Sequence, residues 1–158
     1  MIPKLAQFSF LPSGESRELT EDIRELFEDL AASLKHEQRA YSGECHPTLD
    51  VLETDEAIEV VVDVSGVPAN ALRVLFRDGV LIVAGEKAPV PVTEEQTFHL
   101  VEREFGRFAR AVRLTGAFDV QQARASVTDG ELTVVLPKLI DRRGRGHRIA
   151  VTAPQAPG

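Results

Sequence analysis

A single cysteine, Cys45, is all the thiol chemistry this chain has. One thiol cannot form an internal disulfide, so nothing here requires an oxidising compartment, and a reducing cytoplasm is the expected setting. Long apolar runs are missing too. The longest uninterrupted aliphatic stretch, residues 80–84, falls far short of the roughly 20 residues a membrane helix needs. The first residues also lack the apolar core of a secretion signal, so the chain is expected to be neither membrane-embedded nor exported. Catalytic signatures are equally scarce. No G-x-S-x-G elbow, phosphate-cradling G-x-x-x-x-G-K, paired-cysteine motif or H-E-x-x-H occurs. His36, His46, His99 and His147 lie far apart in unlike contexts. Cys45 and His46 adjoin, but neighbours on an extended backbone point to opposite sides and do not make a nucleophile and base. The expectation is no enzyme, no cofactor and no metal.

What is present describes one folded domain with unlike ends. A chain of 158 residues, 43% hydrophobic, can bury a single core. Its formal net charge of −7 argues against general nucleic-acid binding. Residues 15–29 hold seven Asp or Glu against two Arg, whereas Arg142, Arg143, Arg145 and Arg148 cluster late. That basic segment can touch an anionic surface, but it has no interleaved aromatics, and a solvated linker explains it better.

Three regimes follow one another along the chain. Residues 1–15 set Pro3, Pro12 and Gly14 around Phe8, Phe10 and Leu11, a poor helix but an adhesive segment. From Thr20 the spacing becomes helical, with Leu19, Ile23, Leu26, Phe27, Leu30 and Leu34 on one face. Thr20 is a candidate N-cap, Glu21 and Asp22 suit the positive end of the helix, and Lys35 and His36 the negative end. A lone helix of about 15 residues is marginal in water, so its apolar face needs a cover: the domain, another subunit or a bound protein.

From Thr48 to Lys138 the period is two. Ile58, Val60, Val62 and Val64 share a strand face, as do Leu132, Val134 and Leu136. Strands are expected at about 48–53, 57–64, 72–77, 80–86, 107–114, 123–128 and 131–137, punctuated by Ser65-Gly66, Asp78-Gly79 and Asp129-Gly130. The predicted fold class is all-β, an antiparallel immunoglobulin-like β-sandwich with an N-terminal helical arm and a flexible C-terminal tail. Residues 86–106 are too long for an unstructured connection and contain a strand-like segment at 97–102. A strand on so long a leash can pair outside its own sheet. Beyond the sandwich, residues 139–148 cannot build a core, and the isolated Ile149 and Val151, two apart, point the same way in an extended backbone and can enter one groove.

Several motifs together carry a family likeness. Residues 125–134 read Ala-Ser-Val-Thr-Asp-Gly-Glu-Leu-Thr-Val, followed by Ile149-Ala150-Val151. They resemble the A-x-x-x-n-G-v-L and I-x-I/V signatures of the small heat-shock proteins, the Hsp20 or α-crystallin family, of bacterial or plant-like type. Val62-Asp63-Val64-Ser65-Gly66-Val67 is similar to that family's D-x-P-G-V, with Ser65 in place of Pro. Residues 78–86 resemble its D-G-V-L-x-I-x-G-E, and Phe105-Gly106-Arg107-Phe108 its aromatic-G-R-F. The likeness spans roughly residues 46–151 in order and spacing.

The resemblance implies an arm at 1–46, an α-crystallin domain at 47–138 and a C-terminal extension at 139–158. It implies a dimer built by exchanging the strand near Phe98 and Leu100, with Glu102 or Glu104 pairing with Arg107 or Arg110 across the seam. Solvated, separate charges are the plainer alternative, and exposed pairs contribute only about 0–1 kcal/mol. It also implies a tail latch in which Ile149 and Val151 occupy an edge groove lined by Val74, Phe76, Ala125 and Val127. Burying the two tail side chains yields about 3–6 kcal/mol, while ordering backbone costs roughly 1–2 kcal/mol per residue, so one latch is weak and many act together. Docking of the tail on its own domain is the alternative. The implied activity is that of an ATP-independent holdase which binds unfolding clients through Phe8, Phe10, Leu11, Ile23, Leu26, Phe27 and Leu30 and passes them to ATP-dependent chaperones. Leu75 stands where the family usually carries a polar residue and is either a binding residue or an ordinary exposed leucine. A monomeric β-sandwich adaptor of the p23 or CS type is the rival reading, although such domains lack both the exchanged strand and the tail motif.

Overall fold

The computed structural model describes residues 16–34, 45–139 and 149–151. Alternating side chains form seven strands: β1 (Leu49–Glu53), β2 (Ala57–Asp63), β3 (Leu72–Arg77), β4 (Val80–Lys87), β5 (Gly106–Arg113), β6 (Arg124–Thr128) and β7 (Glu131–Pro137). Every strand end falls within one residue of the limits expected from period and punctuation, except in the long connection discussed below. The strands make an antiparallel four-stranded sheet, β1-β2-β7-β6, and a three-stranded sheet, β3-β4-β5.

Local chemistry sets the register. Asp78-Gly79 joins β3 to β4 and Asp129-Gly130 joins β6 to β7, with φ of 51° and 78° in the first turn and 54° and 78° in the second. Two successive positive φ angles are what a two-residue type I′ hairpin needs, and Asp-Gly supplies them at the least steric cost. Because side chains alternate, each register then fixes which residues face inward. Val62 stands opposite Leu132, and Val60 opposite Val134. The inner faces interleave Ile58, Val60, Val62, Leu132, Val134 and Leu136 with Leu72, Leu81, Val83 and Phe108, and all are buried. Phe118 closes one end, its ring edge-on to Phe76 at 5.7 Å and 84°.

The helix α1 (Ser16–Ser33) begins four residues before the expected start. Thr20 therefore lies inside the helix and is not its N-cap, while Lys35 and His36 lie outside the described residues. The earlier start has a tertiary cause: Glu18 and Leu19 line a cleft with Arg77, Asp78, Val80, Ile82 and Arg113, so packing on the sheet holds the first turn. Leu30 is buried, Ile23, Leu26 and Phe27 are half-buried, and the face carrying Arg24 and Glu28 looks to solvent.

Segment 97–102, strand-like in sequence, forms no strand within the single chain. The whole stretch 88–105 pairs with neither sheet, and it displays Val90, Val92, Phe98, Leu100 and Val101 to solvent. A strand needs a partner edge to satisfy its backbone, and within its own chain this segment lies along none of the sheet edges.

Candidate functional site

Three surfaces could receive another polypeptide, and each arises from a different part of the fold. The first is the outer face of β3-β4-β5. Register aligns Leu75, Ile82 and Ala111 in one row, and Arg73, Ala84 and Ala109 in the next. Ile82 and Ala84 are almost wholly buried there, although they belong to the outer face rather than the sandwich core. Helix α1 covers them. Thus Ile23, Leu26, Phe27 and Leu30 pack on the domain itself, and Leu75 is part of the same covered face instead of an isolated exposed leucine.

Charge fixes how the helix lies. Asp22 on α1 pairs with Arg77, and Asp29 accepts from Arg73 Nε at 2.5 Å. Arg73 Nη2 also donates to Ser33 Oγ at 2.6 Å, and Arg107 stacks over the Phe27 ring at 5.6 Å. Asp22 and Asp29 are two helical turns apart, about 10 Å along the axis, and Arg73 and Arg77 span about 13 Å of strand. The two spacings match closely enough for both pairs to form with α1 antiparallel to β3. Arg24 bonds Glu21 and Glu28 on the solvent side. The hydrogen bond and charge of Arg24 hold the Glu21 carboxyl below the usual carboxylate range. Sequence reading assigned Asp22 only to the positive end of the helix and singled out none of Asp29, Arg73 and Arg77; a two-turn acid spacing facing a two-pleat basic spacing was the available signal.

The second surface is the seam where β3 and β6 form the free edges of opposite sheets. Val74, Phe76 and Val127 are half-buried against the core, while Ala125 is exposed. The four expected groove residues therefore lie on the two strands that flank one seam. On the opposite side, inward-facing Arg110 donates from Nη1 to the Pro47 carbonyl at 2.7 Å and closes the gap beside β1.

The third surface is the pair of apolar segments with nothing over them. Phe98 and Leu100 are 59% and 72% exposed, and Ile149 and Val151 are 88% and 96% exposed. Within its own chain, then, the tail pair does not dock as a terminal strand. Glu104 accepts from the His46 amide at 3.3 Å, and Arg107 Nε approaches Glu86 at 4.0 Å. Inside one chain, Arg107 and Arg110 thus engage Glu86 and Pro47 and not Glu102 or Glu104. Phe8, Phe10 and Leu11 lie outside the described residues.

A further cleft lies beside Cys45, lined by His46, Thr48, Asp63, Lys87, Glu104 and Phe108. Burial pushes the Cys45 thiol up, with the nearby Lys87 ammonium opposing the shift. A raised pKa means less thiolate at neutral pH, the reverse of what a nucleophilic cysteine needs. Among the described residues, no three His, Cys, Asp or Glu converge as metal ligands, and no helix is long and apolar enough to cross a membrane.

A model of the Hsp20/alpha crystallin family matches residues 50–152. The chain belongs to this family. Its members are small heat-shock chaperones and not enzymes. A 23.2 kDa heat shock protein of Oryza sativa is 39% identical over 106 residues, which cover 64% of this chain and 49% of that protein. Heat shock protein 16 of Schizosaccharomyces pombe is 29% identical over 119 residues, covering 74% of this chain and 83% of its own length. The chain thus spans about half the length of the rice relative and most of the yeast one. Among solved structures, Heat shock protein 16.0 from Schizosaccharomyces pombe superposes with a TM-score of 0.59 at 28% identity, covering 68% of this chain and 99% of that one. A small heat-shock protein from Xylella fastidiosa, described as having a distinct high order structure, gives 0.58 at 25% identity, covering 69% and 98%. These matches place the sandwich among α-crystallin domains.

Proposed function

We propose that this chain is an ATP-independent holdase: it binds unfolding proteins in the cytoplasm, prevents their aggregation and leaves them refoldable by ATP-dependent chaperones. The observation that carries the reading is the joint exposure of Phe98, Leu100, Ile149 and Val151 on a chain whose core is otherwise closed. Exposed apolar segments of this kind are association surfaces. In the proposed assembly, residues 97–102 pair with a neighbouring protomer to form the dimer, and Glu102 or Glu104 meets Arg107 or Arg110 at that seam. Ile149 and Val151 enter the seam lined by Val74, Phe76, Ala125 and Val127 on another subunit. Tethered tails act by effective concentration, so the assembly holds while single subunits exchange. Clients meet Phe8, Phe10 and Leu11 of the arm and, once α1 lifts from the sheet it covers, its face bearing Ile23, Leu26, Phe27 and Leu30.

The test is native mass and light scattering of the intact chain and of a truncation ending at Arg148, paired with aggregation of a heat-unfolding model enzyme. The expected result is a large assembly that falls to dimers on truncation, and suppression of client aggregation at about stoichiometric amounts. A monomeric intact chain that leaves client aggregation unchanged would overturn the proposal and favour a p23-type adaptor.

A further inference from the structure

The way α1 is attached carries a consequence for when the capture surface is available. Its apolar face is not shielded by packing alone. Asp22 has a side chain only 9% exposed, and Arg77 is its partner, itself 53% exposed. A carboxylate so far out of water depends on its counter-charge, because an uncompensated buried charge is strongly disfavoured. Asp29 is more open, but it accepts from Arg73, whose guanidinium is itself fixed by donating to Ser33 Oγ and to the backbone carbonyls of Asn70 and Leu72. One arginine therefore ties the last turn of the helix to the start of β3, and the other ties the second turn to the end of β3. Between the two ties lie the apolar pieces that would be exposed on separation: Leu30 with Ile23 and Leu26 on the helix, and Leu75, Ile82 and Ala84 on the sheet.

We infer that α1 is a charge-clamped cover: the Asp22–Arg77 and Asp29–Arg73 pairs hold it on the outer face of β3-β4-β5, and weakening them releases two matching apolar surfaces at once. The inference rests on the holdase reading for what those surfaces bind, namely apolar segments of unfolded chains, but its attachment chemistry stands apart from that reading. The cover is local to each protomer, so its release requires no dissociation of an assembly. Its ties are ionic, so screening loosens them, and the exposed members Arg77 and Asp29 are the ones that solvent ions reach. Glu18 and Arg113 border the same cleft, and they set the local field around the Asp22 tie.

Hydrogen exchange of the α1 amides in the full chain reads the clamp directly. Between about 0.01 and 1 M salt the Debye length falls from about 30 to about 3 Å, and exchange in α1 should accelerate while the sandwich strands stay protected. Asp22→Asn combined with Asp29→Asn should speed α1 exchange roughly tenfold at low salt and remove most of its salt response. Arg77→Asp alone should also speed α1 exchange at low salt, and Arg77→Asp with Asp22→Arg should restore protection, a rescue that a generally destabilised variant would not give. In parallel, the double Asn variant should suppress aggregation of a heat-unfolding model enzyme at a lower molar ratio than the parent chain. Unchanged α1 exchange in the Asn variant, or no rescue by the reversed pair, overturns the clamp whatever the chaperone assay reads. Faster α1 exchange without improved suppression overturns the claim that the cover hides a capture surface. A parent chain that never suppresses aggregation sinks the holdase reading while leaving the exchange result standing.

Discussion

Gly85 is the position where a single methyl group should do most harm, and the harm can be worked out from its neighbours. It lies in the central strand β4, in register with Leu72 on β3 and Phe108 on β5. A Cβ built there would sit 2.4 Å from Phe108 Cζ, 2.9 Å from Cε1 and 3.0 Å from the Ala71 carbonyl oxygen. Carbon atoms in contact prefer about 3.5–4.0 Å, so the ring must retreat by more than an ångström. It has nowhere to go, because Phe108 is buried and the carbonyl on the other flank is backbone. Overpacking of this kind costs about 1–3 kcal/mol, offset by about 0.4–1 kcal/mol because alanine narrows the unfolded ensemble. Gly85→Ala should therefore lose on the order of 1–2 kcal/mol. With a urea dependence of about 1–3 kcal/mol per M, the unfolding midpoint of the intact chain followed by far-ultraviolet circular dichroism should fall by about 0.3–2 M. The same substitution in a Phe108→Leu background should cost less, since the ring tip is gone. An unchanged midpoint, or equal costs in both backgrounds to within about 0.3–0.5 kcal/mol, would refute the reasoning.

Two other outcomes follow from the core and the lone thiol. Leu81, almost wholly buried on the inner face of β4, should lose about 2–5 kcal/mol on conversion to Ala, measured by the same urea titration, and a loss below 1 kcal/mol would mean that the core relaxes into the space. Burial raises the Cys45 thiol, so its alkylation rate should climb at higher pH in the native chain than in the urea-unfolded chain. The sign follows from linkage: a group that is harder to ionise when folded makes the native state less stable as pH rises through the unfolded thiol's value. Native alkylation at lower pH than the unfolded chain would reverse that assignment.

The strands were legible because β-structure here is written locally. Period-two alternation at Ile58, Val60 and Val62, and Asp-Gly at both tight turns, specify face and register without knowledge of the partner. The helix was legible as a helix but not in its start, because contact with Arg77, Asp78 and Val80 extends it past the local cap signal at Thr20. The clamp on the helix was not legible at all. Asp22 and Arg77 are 55 residues apart, and Asp29 and Arg73 are 44 apart, so no local pattern links either pair, and Asp22 read only as a charge at the helix start. Segment 97–102 has the composition of a strand, yet pairing is a property of two edges, and composition does not say which edge a segment meets. That Val74, Phe76 and Val127 lie on edge strands and alternate inward was readable from pattern, whereas a groove role for them came only with the family resemblance.

The point where the tail leaves the sandwich is fixed on several sides. Lys138 donates its amide to the Glu56 carbonyl and its Nζ to Glu53 at 2.6 Å, and the Leu139 amide donates to Ala117. Ile149 follows ten residues later. At about 3.3–3.6 Å per residue, a fully drawn-out chain of that length spans at most about 33–36 Å. A folded unit of about 100 residues has a radius of gyration near 13 Å and so is roughly that wide. The anchor and the tether together act as a ruler: Ile149 and Val151 reach no farther than about one domain's breadth from Leu139, so the proposed latch is confined to adjacent neighbours and never skips over one.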